Sequence, residues 1–242
     1  MSKTTYILMV FEGEKTEPLI VDNLKKYFLN ESDKIIVKAI YGTVIYKLYE
    51  QFFICGEFDE DLEVFSLLKE MISDEDLAKL DREQISEIYL FFDYDGHATN
   101  ASDKKLQKMF EIFDNETENG KLYISYPMVE AIKHLKDEIN FKDTLVQCSS
   151  NYKEMVSQNC DSCLIDLKNL SKDNWDYIID KHSKKANFII NDEFSFPKEL
   201  IEQNQIFNTQ KIKYLKTENK VSVLASFPLF LLDYYGIDKF KK

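Results

Sequence analysis

Two stretches of this chain run from apolar sequence straight into carboxylates. In the first, Tyr6–Phe11 (YILMVF) is followed by Glu12, Gly13, Glu14, Glu17 and Pro18. In the second, Ile88–Phe92 (IYLFF) is followed by Asp93, Asp95, Gly96 and His97. Residues i and i+2 of an extended chain point the same way, so Asp93 and Asp95 share a face. Two carboxylates held together at a strand end are costly unless hydrogen-bonded or bound to a cation. Oxygen donors of this kind suit Mg²⁺ or Mn²⁺. Alone, the first stretch reads equally as a solvated acidic loop, and the second as a turn or capping pair. Their joint occurrence in one predicted sheet points to a metal site.

Other residues could serve such a site. Glu130, Lys133 and His134 stand at i, i+3 and i+4 and would share a helix face. Facing the acids, Lys133 could stabilise a phosphate or a leaving group; otherwise the three form a surface Glu–Lys pair and a solvated histidine. His97 lies beside the second stretch and could donate to a phosphate, or be a turn residue with no catalytic part. Lys181, Lys184 and Lys185, with Lys211, Lys213 and Lys216, are the candidate phosphate-contacting lysines, against the alternative of a solvated face.

The elements that would position these groups follow from periodicity. The run Tyr6–Phe11 is too short for a typical helix and reads as a strand buried on both faces. Gly13 allows a tight turn, and Pro18 suits the first turn of a helix that continues through Leu19, Ile20, Leu24 and Phe28. Ile35–Ile40 is a second strand. Val44–Ile54 and Leu62–Met71 read as helices, with Asp74–Leu80 as an extension or a separate turn. Ile88–Phe92 is a third strand. Ser102 is a plausible N-cap for a helix with Leu106, Met109, Phe110 and Phe113 on one stripe. Leu122–Ile124 is a fourth strand, and Ser125-Tyr126-Pro127 opens a helix with Pro127 in its first turn. Strand and helix alternate, so the expected fold class is α/β, a parallel sheet flanked by helices. The expected division is an α/β domain over 1–140 and a mostly helical region over 141–242. There, Tyr152–Val156, Leu164–Leu170, Asp173–Lys181, Leu200–Asn208 and Ser222–Tyr235 read as helices, the last kinked or broken at Pro228. Phe188–Ile190 reads as an edge strand.

Composition sets bounds. With 242 residues, 6 Gly and 4 Pro, the chain is long enough for a large core and poor in linker sequence. No apolar run is long enough to span a bilayer, and the N-terminal stretch lacks a small-residue cleavage site, so a cytoplasmic protein is expected. Four cysteines are too few for a disulfide scaffold in a chain of this length. A net charge of -12 argues against a general polyanion-binding surface. A metal in an acidic site would reverse that sign locally.

A strand ending in Glu-Gly and a later strand ending in Asp-x-Asp resemble the Toprim fold of topoisomerases, primases and certain nucleases. The wording FEGEKTEP, FFDYDGH and SYPMVEAI is most similar to the RloB-like branch, small Toprim proteins of bacterial phage-defence loci. The resemblance covers roughly residues 5–135, and the residues after 141 carry no motif of it. It implies a metal-dependent nuclease, a hydrolase cutting DNA or RNA as the effector of an antiviral, abortive-infection system. Glu12 would be a general acid/base or metal ligand. Asp93 and Asp95 would be the metal-binding aspartates, Glu14 and Glu17 would serve a second metal or support the first, and Glu130 would complete the site. The cofactor implied is Mg²⁺ or Mn²⁺. The partners implied are a nucleic-acid substrate and an ABC-type ATPase, with a homodimer left open. The usual pattern has a second Gly shortly after the paired aspartates; here Gly96 follows at once and His97 succeeds it. Two other readings compete: a non-catalytic Toprim adaptor for the ATPase, and a phosphatase of the haloacid-dehalogenase type with Asp93 as nucleophile. The latter leaves FEGEKTEP unexplained and expects Thr where His97 stands. Gly13-Glu14-Lys15-Thr16 lacks the glycines of a P-loop. Cys160 and Cys163, with Cys148 and His182, fit no standard zinc spacing.

Overall fold

In a computed structural model, residues 5–29, 34–59, 62–94, 96, 100–148 and 151–241 are described. The protein is α/β, with a five-stranded, mostly parallel sheet. The elements in chain order begin β1 (Tyr6–Phe11), α1 (Thr16–Tyr27), β2 (Ile35–Ile40), α2 (Ile45–Phe52), β3 (Phe53–Ile54), β4 (Glu57–Phe58), α3 (Val64–Met71) and α4 (Glu75–Ala78). They continue with β5 (Ile85–Asp93), α5 (Asp103–Ile112), β6 (Asp114–Asn115) and β7 (Gly120–Ser125). After a 3-10 turn at Val129–Lys133 come β8 (Leu145–Val146), α6 (Tyr152–Gln158), α7 (Lys172–Asn191) and α8 (Gln203–Thr209). A π-helical turn at Gln210–Leu215 leads into α9 (Lys216–Glu218), β9 (Val221–Ser222) and α10 (Ser226–Tyr235).

The chain divides into two compact units, 1–92 with 100–122, and 93–99 with 123–242. The division falls at the end of β5 and inside β7. The first unit is built on β1, paired in parallel with β2 on one side and β5 on the other. Ile7 to Phe11 are all fully buried. That is the pattern of a parallel strand covered on both faces, and each such side chain contributes roughly 1.5–3 kcal/mol of burial. The sheet order is β2-β1-β5-β7-β6, with β6 antiparallel to β7. Gly120 opens β7 at φ +110, and a Cβ there would stand 2.9 Å from Leu90 Cδ1. The strand can lie against β5 side chains because this residue has none.

Several expected elements take another form. The aromatic run after residue 44 is a helix only to Phe52, then a hairpin of β3 and β4. Its two-residue turn, Cys55-Gly56, has φ of 51 and 86, the left-handed pair that matches strand twist.

In the second unit, Ser125 Oγ lies 2.9 Å from Ser226 Oγ, and Tyr126 exchanges backbone hydrogen bonds with Leu224 at 2.8 and 3.0 Å. Tyr123 donates to Asp233. These ties bring the end of β7 into the helical unit. Pro127 does not open a helix; a 3-10 turn begins at Val129. Leu164–Leu170 forms two 3-10 turns, Ser162–Leu164 and Leu167–Asn169. Phe188–Ile190 is not a strand but the last turn of α7, which runs 20 residues with Trp175, Ile178, Ile179, Ala186 and Ile189 buried. Pro228 causes no kink, because α10 starts at Ser226 and the missing N–H falls in the first turn.

The π-helical turn has a cause in the packing. Gln210 is fully buried, and its amide donates to the Ser222 carbonyl at 2.7 Å and accepts the Ser222 N–H at 2.8 Å. One side chain thus supplies β9 with the pair of hydrogen bonds a neighbouring strand would give. Gln210→Leu strands both backbone groups in an apolar interior. We expect unfolding free energy to drop by roughly 1–3 kcal/mol for each group. Chemical denaturation measures this, and an unchanged midpoint would show that the pair contributes nothing.

Candidate functional site

In the first unit, Glu12 directly follows β1, and its N–H donates to the Phe91 carbonyl at 3.2 Å. Since Phe11 pairs with Phe91 in parallel register, β1 and β5 end in the same direction. Glu12 therefore sits past the carboxyl end of β1, the end at which open α/β sheets keep their sites. Gly13 makes the turn, and its N–H donates to Glu17 Oε1 at 2.9 Å. A Cβ on Gly13 would stand 2.6 Å from Glu17 Oε2. A side chain here would have to push that carboxylate, the free end of the Glu17 side chain, away from the turn. Glu17 is buried in the first turn of α1, where an acid also complements the helix dipole. Glu14 is exposed in the turn.

The second unit holds the other described candidates. Asp93 ends β5, and its Oδ1 accepts the Val129 N–H at 2.8 Å, satisfying the start of the 3-10 turn. That turn carries Glu130 and Lys133, both buried, and His134 follows it, also buried. Each meets a residue of α6. Glu130 Oε1 lies 2.8 Å from Lys153 Nζ. Lys133 Nζ donates to Ser157 Oγ at 3.4 Å. His134 Nδ1 lies 3.0 Å from the Tyr152 hydroxyl. Burial, then the charges of Glu130 and Asp93, hold the Tyr152 phenol well above its ordinary value, so it stays neutral beside the two carboxylates.

Asp95 and His97 lie outside the described residues. Lys181 and Lys184 are half-buried on α7. Lys181 lies over the Tyr177 ring, and Lys184 is paired with Asp180 at 2.9 Å. Lys185 is not at a surface where a phosphate could reach it. It is 0% exposed and donates to the Phe141, Lys142 and Thr144 carbonyls at 2.8, 2.6 and 3.2 Å. Burial pushes its ammonium down to about 7, while carbonyls so placed favour the charged form. His182 is equally enclosed. Its Nδ1 accepts the Ala225 N–H at 3.1 Å, which fixes the proton on Nε2. It is a strut between α7 and the start of α10, not a zinc ligand.

Carboxylate oxygens are the donor type that a hard divalent cation takes. Asp93 and Glu130 offer carboxylate oxygens, and Glu130 already carries a cation in the ammonium of Lys153. Among the described residues no group of three or more His, Cys, Asp or Glu side chains is arranged to hold a metal. Tyr152, Lys153 and Ser157 were not legible as site residues. Their only sequence signal is the short helix that puts Lys153 and Ser157 four residues apart on one face. No family model, no curated protein and no solved structure matches this chain. No helix among the described residues is long and apolar enough to cross a membrane.

Two predictions follow from the geometry. Glu17 serves its own turn, so Glu17→Ala lowers unfolding free energy by roughly 1.5–3 kcal/mol, the worth of a hydrogen bond to a charged group. Calorimetric unfolding in the presence of a chelator checks this; an effect that appears only with divalent ions would contradict it. The second concerns pH. Burial holds His134 at about 4 and His182 at about 3, below the ordinary 6.5. Both are neutral when folded and protonate near 6.5 when unfolded. Their contribution is complete above about 6.5 and lost as pH falls toward 4 and 3. The melting temperature should fall from pH 6.5 to pH 4, and fall less in His182→Asn, whose amide oxygen can still accept the Ala225 N–H.

Proposed function

We propose that this protein is a Toprim-fold, metal-dependent nuclease that hydrolyses phosphodiesters of DNA or RNA, acting in the cytoplasm as the effector of a phage-defence system. The observation that carries the reading is that β1 and β5, side by side and parallel, both run out into carboxylates. That is where the motif resemblance puts its acids. By that resemblance, Asp93, Asp95 and Glu130 would be the ligands of Mg²⁺ or Mn²⁺, and Glu12 the acid/base or a further ligand. When bound, the cation would activate a water and neutralise charge on the phosphodiester. Glu12, on the residue after a rigid buried strand, would take or give a proton at a position fixed by the sheet. Asp93 is oriented by the Val129 N–H, so its second oxygen keeps a set direction. Tyr152, neutral beside Glu130 and Asp93, adds no competing charge. Lys133 is nearly enclosed and directed at Ser157, which supports a structural part for it, not contact with a leaving group.

A second reading has its own support. Glu130 is paired with a lysine, as an adaptor without chemistry would tolerate. In that case the chain would dock on an ABC-type ATPase, and its acids would be structural.

Cleavage of DNA and of total RNA with Mg²⁺ or Mn²⁺, with and without the ATPase, separates the two. We expect cutting that Glu12→Ala and Asp93→Ala each reduce by at least about a hundredfold, the scale of losing one acid/base or charge-stabilising group. Absence of cutting under every condition, with no divalent binding by calorimetry, would leave the adaptor.

A further inference from the structure

The last hydrogen bonds of the sheet carry its register one residue past the end of β1. The Tyr41 N–H donates to the Phe11 carbonyl at 2.8 Å, and the Glu12 N–H to the Phe91 carbonyl at 3.2 Å. In parallel strands each such bond aligns its donor with the residue after its acceptor. Tyr41, Glu12 and Phe92 therefore form one row across β2, β1 and β5, next to the row of Ile40, Phe11 and Phe91. Residues of one row leave the sheet on the same face. β1 separates β2 from β5, with about 4.8 Å between neighbouring strands. Yet the rings of Tyr41 and Phe92 have their centroids 6.0 Å apart, edge to face. They lean toward each other across the position of Glu12. All three residues belong to the first unit.

The Tyr41 phenol is half-buried, and its hydroxyl has no hydrogen-bond partner among the described residues. Burial, then the charge of Glu50, raises it to about 12, so the hydroxyl stays a neutral donor. Glu50, on α2, is itself met by three donors, Asn100 at 3.1 Å, Lys47 at 3.2 Å and Lys105 at 3.4 Å. Two ammonium groups against one carboxylate leave this cluster with a positive excess. Lys47 is 58% exposed and Lys105 29%, so both heads reach water. A ligand that is negatively charged and only accepts hydrogen bonds fits such a set, a phenol donor beside two solvated ammonium groups.

We propose that Tyr41 is a substrate-binding residue, whose hydroxyl donates to a non-bridging phosphate oxygen of nucleic acid beside Glu12, while Lys105 and Lys47 contact neighbouring phosphates. This deepens the nuclease reading and rests on it. The contacts all come from the first unit, and they do not call on the paired or enclosed lysines of α7. A phenol that stays protonated fixes a phosphate without titrating against Glu12, the proposed acid/base. In a chain with a net charge of -12, a local spot of this kind is what a polyanion needs.

Binding of fluorescein-labelled single-stranded DNA and RNA, followed by anisotropy with a chelator present so that nothing is cut, tests the contact. Tyr41→Phe keeps the ring against Phe92 and removes only the donor. Its Kd should rise about tenfold, the scale of a hydrogen bond to a charged group, with no change in salt dependence. Lys105→Gln should lower the slope of log Kd against log salt by about 0.7, the share of one phosphate contact on a single strand. A Kd for Tyr41→Phe equal to wild type, an unchanged slope for Lys105→Gln, or no binding by the wild type overturns the proposal. The nuclease reading is judged apart, by cleavage. Binding that Tyr41→Phe weakens, in a protein that cuts nothing with Mg²⁺ or Mn²⁺, would retain the contact and remove the nuclease. Cutting that depends on Glu12 and Asp93, with a wild-type Kd in Tyr41→Phe, would do the reverse.

Discussion

The burial of β1 on both faces is the constraint from which the rest of the first unit follows. Five consecutive side chains have no exposure at all, so neither face of the strand can carry a charge. Its backbone groups are taken up by β2 on one side and β5 on the other. Polar chemistry is thereby excluded from the strand and confined to its end. Glu12 is the first residue at which a charge can be placed without burying it between layers. Gly13 then turns the chain tightly enough for Glu17 to reach back to its N–H. The acid-rich turn is thus what a fully buried strand followed at once by a helix produces, and a candidate site comes with it.

The second unit solves a different problem. Its described residues form no long strand ladder of their own, and many of their backbone groups lie in 3-10 turns and short bridges that leave donors and acceptors over. Buried polar side chains take these up: Gln210 for both groups of Ser222, Lys185 for three carbonyls around the Phe141–Asp143 turn, His182 for the Ala225 N–H, and Asn187 for the Glu193 and Ser195 carbonyls at 3.0 Å each. An unpaired buried carbonyl costs as much as a lost hydrogen bond, so these residues are as much part of the core as its leucines. This is why a lysine read as a surface cation from sequence turns out to be a strut.

What could be read from sequence follows the same division. Continuous apolar runs found β1, β5 and β7, and helical stripes found α1, α5 and α6, because in these segments local pattern and tertiary role agree. The β3–β4 hairpin was hidden because Cys55 takes a left-handed conformation that its residue type does not announce. Phe188–Ile190 has the composition of a short strand, but three apolar residues cannot distinguish a strand from the end of a long helix. The π-helical turn depends on Gln210 meeting Ser222 twelve residues later, which no local period records. Among the candidate residues, Glu12 and Asp93 were visible as acids at strand ends, and Glu130 as an acid on an expected helix that is a 3-10 turn instead. Tyr152 and Lys153 were not, since their importance lies only in what they touch.

The acids differ in what pairs with them. Glu17 and Asp93 accept backbone N–H groups, which belong to turns and cannot leave without the turn itself opening. Both carboxylates are therefore oriented whatever the ionic surroundings. Glu130 is paired instead with a side-chain ammonium, that of the largely solvated Lys153. In a chain with a net charge of -12, acids elsewhere on the surface also hold mobile cations nearby. Glu17 and Asp93 are thus set by the backbone of their turns, and Glu130 by the side chain of a neighbouring helix.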